Sequence, residues 1–238
     1  MISKFGLKHC KKCYLFLIIF GFVILITAIN DKRYEIKPDN LPWQITITES
    51  GQSKVFGITL GQTTLREAFQ VLKVYPATAL FAHKDGRKSL EAYISSLSLS
   101  GLTAKMILEY DVTDETLQRY IKDSVDREGM PSGAFKYKLN EEDLLQSIQS
   151  KVKSISYIPY AQFDDEIIMQ RFGLAAETVK VDEQSSILLF PDLGLSIAYN
   201  REEKEIIQYV APQDFDRLRQ LAYEAAAQAK KAGKTKSN

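Results

Sequence analysis

Leu102-Thr103-Ala104-Lys105-Met106-Ile107-Leu108-Glu109-Tyr110-Asp111 alternates along its length. Leu102, Ala104, Met106, Leu108 and Tyr110 fall on one side. Thr103, Lys105, Glu109 and Asp111 fall on the other, with Ile107 the exception. Successive side chains of a strand point to opposite faces, so the pattern predicts a strand with one face in a core and one toward water. Strands of that kind belong to antiparallel sheets, because a strand covered on both sides reads as an unbroken apolar run. The expected fold class is therefore α+β, with helices packed on an antiparallel sheet.

Working upstream, residues 90–99 form the expected partner strand across a turn at Gly101. Residues 77–83 form another, joined to it by Lys84-Asp85-Gly86-Arg87, a tight turn. A helix precedes them. Thr64 with Glu67 three residues on fits a capping box, and Leu65, Ala68, Phe69 and Leu72 make one apolar stripe. Pro76 closes it. Residues 41–49 alternate around Ile45 and Ile47, and residues 54–60 follow a turn, which predicts a hairpin.

Downstream, Thr113 or Asp114 caps a helix expected to reach Arg127, with Leu117, Tyr120, Ile121 and Val125 as its stripe. A loop at 128–133 and a short strand at 134–139 follow. Asn140 caps a helix at 141–149 that carries acids in its first turn, where the helix dipole favours them. Residues 152–158 are a strand. Asp164 caps a helix at 165–172 that ends on Gly173. Strands are expected at 177–182, 185–190, 195–199 and 205–210. Pro212 opens a last helix with a weak stripe of Leu218, Leu221, Ala222 and Ala225, and a lysine-rich tail without structure is expected from Gly233.

The run from Tyr14 to Ile29, YLFLIIFGFVILITAI, has no charged residue. Lys4, Lys8, Lys11 and Lys12 precede it, and no acid occurs before Asp31. A bilayer core needs about 20 helical residues, a length reached when Cys13 and Asn30 are counted and the flanking bases snorkel. The lysine excess keeps the N-terminal side in the cytoplasm by the positive-inside rule. The run is either an uncleaved anchor in the inner membrane or a signal peptide removed near Ala28, which would release the domain to the periplasm. The expected division is 1–12 a basic cytoplasmic stub, 13–30 the transmembrane segment, 31–42 a linker, 43–130 and 131–212 two α+β halves, and 213–238 a C-terminal helix and basic tail.

Of the 238 residues, 45% are apolar and 26% charged, an ordinary globular mixture. The formal charge of +1 hides an asymmetry. Without the four leading lysines, 27 bases face 30 acids, a net −3 beyond residue 30. A mildly acidic domain argues against nucleic acid as a partner. Cysteine occurs only at Cys10 and Cys13, so no disulfide frames the domain.

The two halves follow the same order: a capped helix at 64–73 and then strands, a capped helix at 165–172 and then strands. Corresponding helix positions lie 100 residues apart, which suggests two tandem copies of a small helix-plus-sheet unit. Gln170-Arg171-Phe172-Gly173, the stretch from Leu189 to Ile197, and Gly61-Gln62-Thr63 resemble motifs of the SmpA/OmlA class of outer-membrane assembly lipoproteins. That resemblance implies helices on a small antiparallel sheet; in tandem the arrangement is similar to the β-lactamase inhibitory protein-like fold. No lipobox cysteine follows the apolar run, and Ala175-Ala176 stands where that class often has proline. The whole chain is also similar to exported bacterial proteins.

Catalytic patterns are sparse. His83 reads as a strand-end surface residue, and no His/Asp/Glu spacing suggests a metal site. Ser95, Ser96, Ser98 and Ser100 cluster without a G-x-S-x-G elbow. The carboxylate pairs Asp164/Asp165, Glu141/Glu142 and Glu202/Glu203 sit at helix starts or turns, where capping and solvation account for them. No Walker loop or dinucleotide fingerprint occurs, and no cofactor is expected. Most of Tyr75, Phe81, Tyr93, Tyr110, Tyr157, Tyr160, Phe190, Tyr199 and Tyr209 are core by periodicity, and a minority on the outer sheet face would suit a partner. The expectation is a non-enzymatic, membrane-anchored periplasmic module that binds an envelope protein and meets the bilayer through Tyr14–Ile29. A small-ligand or lipid-binding domain and a carboxylate-dependent envelope hydrolase are the alternatives.

Overall fold

Strand β6 (Leu102–Tyr110) buries Ala104, Met106, Leu108 and Tyr110, as its alternation predicts, and lies inside a ten-stranded sheet. The structure, a computed structural model, describes residues 40–200 and 203–236, with side chains through 231. The expected stub, transmembrane segment and nearly all of the linker lie outside the described residues. Among the described residues no helix is long and apolar enough to cross a membrane.

The sheet is antiparallel throughout, in the order β10-β11-β12-β13-β9-β6-β5-β4-β8-β7. Its strands are β4 (Ala77–Ala82), β5 (Lys88–Leu99), β6, β7 (Asp126–Gly129), β8 (Phe135–Lys138), β9 (Val152–Pro159), β10 (Glu177–Lys180), β11 (Ser185–Phe190), β12 (Leu195–Asn200) and β13 (Ile206–Val210). The helices are α1 (Leu65–Leu72), α2 (Asp114–Lys122), α3 (Glu141–Ser147), α4 (Asp165–Phe172) and α5 (Phe215–Lys236). Among the described residues the fold is thus α+β, with five α-helices packed on one large antiparallel sheet.

Helices α1 and α4 each lead into an antiparallel run of strands that steps inward from the sheet's periphery. One run is β4-β5-β6 and the other β10-β11-β12-β13. They meet on either side of β9, whose neighbours are β6 and β13. The two halves therefore share a single sheet. One face of that sheet carries the main core, in which Leu80, Leu90, Ala92, Met106, Leu108, Ile155, Tyr157, Leu195, Ile197, Ile207 and Tyr209 pack with Leu65, Ala68, Leu117, Tyr120, Ile168 and Phe172 from the helices. Burying each large aliphatic side chain contributes roughly 1.5–3 kcal/mol.

The caps form as the sequence predicts. Thr64 and Glu67 make the full capping box. Thr113, Asn140 and Asp164 each accept a hydrogen bond from a backbone N–H of the first turn. Helix α2 stops short of its expected end. Ser124 Oγ donates to the Ile121 carbonyl, and residues 126–129 pair with β8 instead of continuing the helix. Val125, expected in the stripe, is exposed. That hairpin spans residue 130.

The N-terminal hairpin is also different. Thr46–Ile47 (β1), Ser53–Val55 (β2) and Ile58–Thr59 (β3) form a separate three-stranded sheet. Phe56 and Gly57 both take positive φ, +54° and +77°, which folds the expected single strand 54–60 into a tight turn. Ile47 points to solvent rather than to the core. Trp43, by contrast, inserts edge-on between Phe163 and Phe172 under the Arg171 guanidinium. At the other end, α5 runs to Lys236, over residues expected in the tail. Its buried stripe is Phe215, Leu218, Ala222 and Ala226; Leu221 and Ala225 are half-buried.

Candidate functional site: the open half of the outer sheet face

Register places Ala79, Phe81, Ser89, Glu91, Tyr93, Lys105, Ile107, Glu109, Ser154, Ser156, Ile158, Ile206, Gln208 and Val210 on the sheet face opposite the main core. Helix α5 covers only one side of this face. Its stripe packs on Val179, Ile187, Leu189 and Val210, which belong to β10, β11 and β13. Among the described residues no helix covers this face of β4, β5, β6, β9 or the Ile206 end of β13.

Two cross-strand rows cross the open half. Ala77, Tyr93, Ile107, Ser156 and Gln208 form one; Ala79, Glu91, Glu109 and Ser154 form the next, which ends on Val210 under α5. Beyond them Lys105 pairs with Ile158, and Phe81 with Ser89. Tyr93 is 42% exposed and Ile206 41%, while Phe81, Ile107 and Ile158 are half-buried by their neighbours. Aromatic and β-branched groups ringed by polar side chains are the composition of a recognition surface. Just past β9, Tyr160 closes one end. Its hydroxyl donates to the Ser95 carbonyl at the β5 bulge, and Lys204 lies over its ring.

Glu91 and Glu109 sit directly opposite each other on β5 and β6. Like charges in that arrangement oppose pairing unless something compensates them. Glu109 is compensated: Lys153 lies 3.3 Å away, Arg217 of α5 3.2 Å, and Ser154 Oγ donates at 2.8 Å. Burial raises its pKa, but Arg217 and Lys153 outweigh that and hold it below the ordinary value. Glu91 accepts one bond, from Ser89 Oγ at 2.6 Å. Burial pushes its carboxyl above the ordinary value; the Ser89 bond opposes this and the Glu109 charge adds to it. One glutamate is therefore tuned up and its neighbour down.

A pH dependence follows. The folded state holds the Glu91 proton to a higher pH than the unfolded chain does. Stability from this group is complete below the unfolded pKa and falls as pH rises through the folded one. Glu91→Gln is expected to melt above wild type at pH 7.5, with the gap closing as pH falls below the unfolded glutamate pKa of about 4.3, where Glu91 is protonated in both the folded and unfolded states. Thermal melts at the two pH values check it; an equal gap at both would contradict the assignment.

The residues singled out from sequence scatter. His83 is exposed in the β4–β5 turn, where its N–H donates to the Arg87 carbonyl. Ser95 and Ser96 fall in the β5 bulge, and Ser98 is exposed. Asp164 caps α4, while Asp165, Glu141 and Glu142 occupy first turns. Glu203 is exposed, and Glu202 lies outside the described residues. Among the aromatics, Tyr110, Tyr157, Phe190 and Tyr209 are buried, and Phe81 and Tyr93 stand on the open face.

Sequence reasoning missed the Glu91/Glu109 pairing, although counting outward from Gly101 brings it close. The β5 bulge between Ile94 and Leu97 shifts that count by one. It also missed Asp143, a buried acid held by Arg119 and Asn140 across α2 and α3. A scan of family models and searches of curated proteins and of solved structures return no match to this chain.

Proposed function

We propose that this protein is a membrane-anchored, non-enzymatic interaction module of the cell envelope, and that it docks a partner protein on the open half of its outer sheet face. The observation that carries the reading is asymmetric cover. Helix α5 seals Val179, Ile187, Leu189 and Val210 with a four-residue apolar stripe, yet among the described residues no helix lies over Tyr93, Ile107, Ile158 and Ile206 beside it. An antiparallel sheet tolerates a solvated face, but that face is normally polar, and apolar groups gathered on it mark interaction surfaces.

The charge pattern and the Tyr14–Ile29 run support placement on the far side of the inner membrane. A reporter fused after Asn238 is expected to be active there and silent in the cytosol. The parallel order of α1-β4-β5-β6 and α4-β10-β11-β12-β13 supports descent from two tandem copies of one unit. Function is tested by co-purification from detergent-solubilised envelope. Tyr93→Thr with Ile206→Thr, which keeps β-branched strand residues and adds no charge beside Glu91 and Glu109, is expected to lose the partner that wild type retains, at a nearly unchanged melting temperature. Equal recovery by both proteins, or none by wild type, would overturn the reading.

A further inference from the structure

A second site lies on the opposite, helical side of the molecule. A cleft of about 480 Å³ opens between the C-terminal end of α1 and the end of α3. Phe69, Val74 and Ile148 form its floor; all three are half-buried and pack against the main core. Arg66, Gln70, Lys73 and Tyr75 form its rim and are exposed.

None of the seven lining residues is acidic, and two are cationic. The nearest acid on the helix, Glu67, is committed to the capping box through the Thr64 N–H and hydroxyl. Lys73 ends α1 in the left-handed conformation, φ +55°, with its own N–H bonded back to Phe69 and Gln70. That fixes the backbone from which its ammonium reaches the rim. Arg66 is anchored on its other side by the Gln149 amide oxygen, the amide being oriented by that contact. Tyr75 presents its whole ring to solvent, a costly placement for an aromatic that covers nothing.

We infer that this cleft binds a single-chain amphiphile with an anionic carboxylate head. The apolar floor takes the chain, Tyr75 folds over it, and Arg66 and Lys73 hold the head. Ligand pockets run from about 300 to 1,000 Å³, and this one lies near the small end, which suits one acyl chain rather than two. A monoanion suffices, since Arg66 already shares its donors with Gln149. The site shares none of its lining residues with the outer sheet face and stands or falls independently of it.

The test uses the full chain in zwitterionic nanodiscs with Tyr75→Trp as a fluorescent reporter. Octanoate, octanol and octylammonium are titrated in turn, against empty nanodiscs. Octanoate is expected to give a saturable change and to bind about fivefold tighter than octanol, the scale of exposed charge pairing. Arg66→Gln with Lys73→Gln is expected to abolish that preference; both positions are exposed, so the fold survives. Octanol binding as tightly as octanoate, tighter binding of octylammonium, a preference that survives the double substitution, or no saturation with octanoate would each overturn the assignment.

Discussion

Gly194→Ala is expected to cost on the order of 4 kcal/mol and to lower the melting temperature by roughly 10 °C. Gly194 lies between the turn Pro191–Leu193 and β12, with φ +62°. A Cβ there would stand 2.0 Å from the Val210 carbonyl oxygen, 3.0 Å from Ser53 Oγ and 3.1 Å from the Pro212 nitrogen. Two of those atoms are backbone and cannot rotate away. The Gly194 carbonyl also accepts the Val210 N–H at 2.8 Å, so relieving the clash means parting β12 from β13. Gly101→Ala supplies the control. Its φ is +84°, but nothing lies within 4 Å of the added carbon, so only left-handed strain of about 1 kcal/mol remains. Thermal melts of the two variants separate clash from strain. Similar losses in both would mean that the Gly194 packing is not as described.

Phe56→Ala is the second large effect, with an expected loss of about 3–5 kcal/mol. Phe56 is buried, stacks on Tyr157 with ring centres 5.1 Å apart, and meets Tyr209 edge-on at 5.6 Å. It joins the small N-terminal sheet to the centre of the large one, since Tyr157 is on β9 and Tyr209 on β13. The backbone makes a sharper test. At φ +54° alanine bears a left-handed penalty that glycine does not. Phe56→Gly is therefore expected to be the more stable variant by about 1 kcal/mol, the reverse of the usual order. Chemical denaturation of both variants decides the order; alanine melting above glycine would contradict the turn geometry.

Much of the fold was legible because local rules and tertiary needs agree. The alternation of β6, the capping box at Thr64 and Glu67, and the caps at Asn140 and Asp164 each have a local cause, and each is present. What failed was tertiary. Residues 126–129 have little strand propensity and are all exposed; only pairing with β8 makes them a strand. Phe56 looks like a strand residue and becomes a turn residue because its ring has a place between Tyr157 and Tyr209. The open sheet face was visible only as alternation. Which strands α5 would cover depends on sheet order, and nothing local encodes that β9 sits between β6 and β13.

Docking on the open face is tested most directly by cysteine protection. With Cys10 and Cys13 replaced by serine, single cysteines are placed by Ser156→Cys on the open half, a near-isosteric change that keeps Tyr93 and Ile206, and by Ile187→Cys under α5. Each is treated with a maleimide, first in the purified protein and then in intact envelopes. Ser156→Cys is expected to label faster when purified than in the envelope, while Ile187→Cys labels slowly in both. Equal labelling of position 156 in the two settings would show the face empty where the protein resides, and would contradict a docked partner.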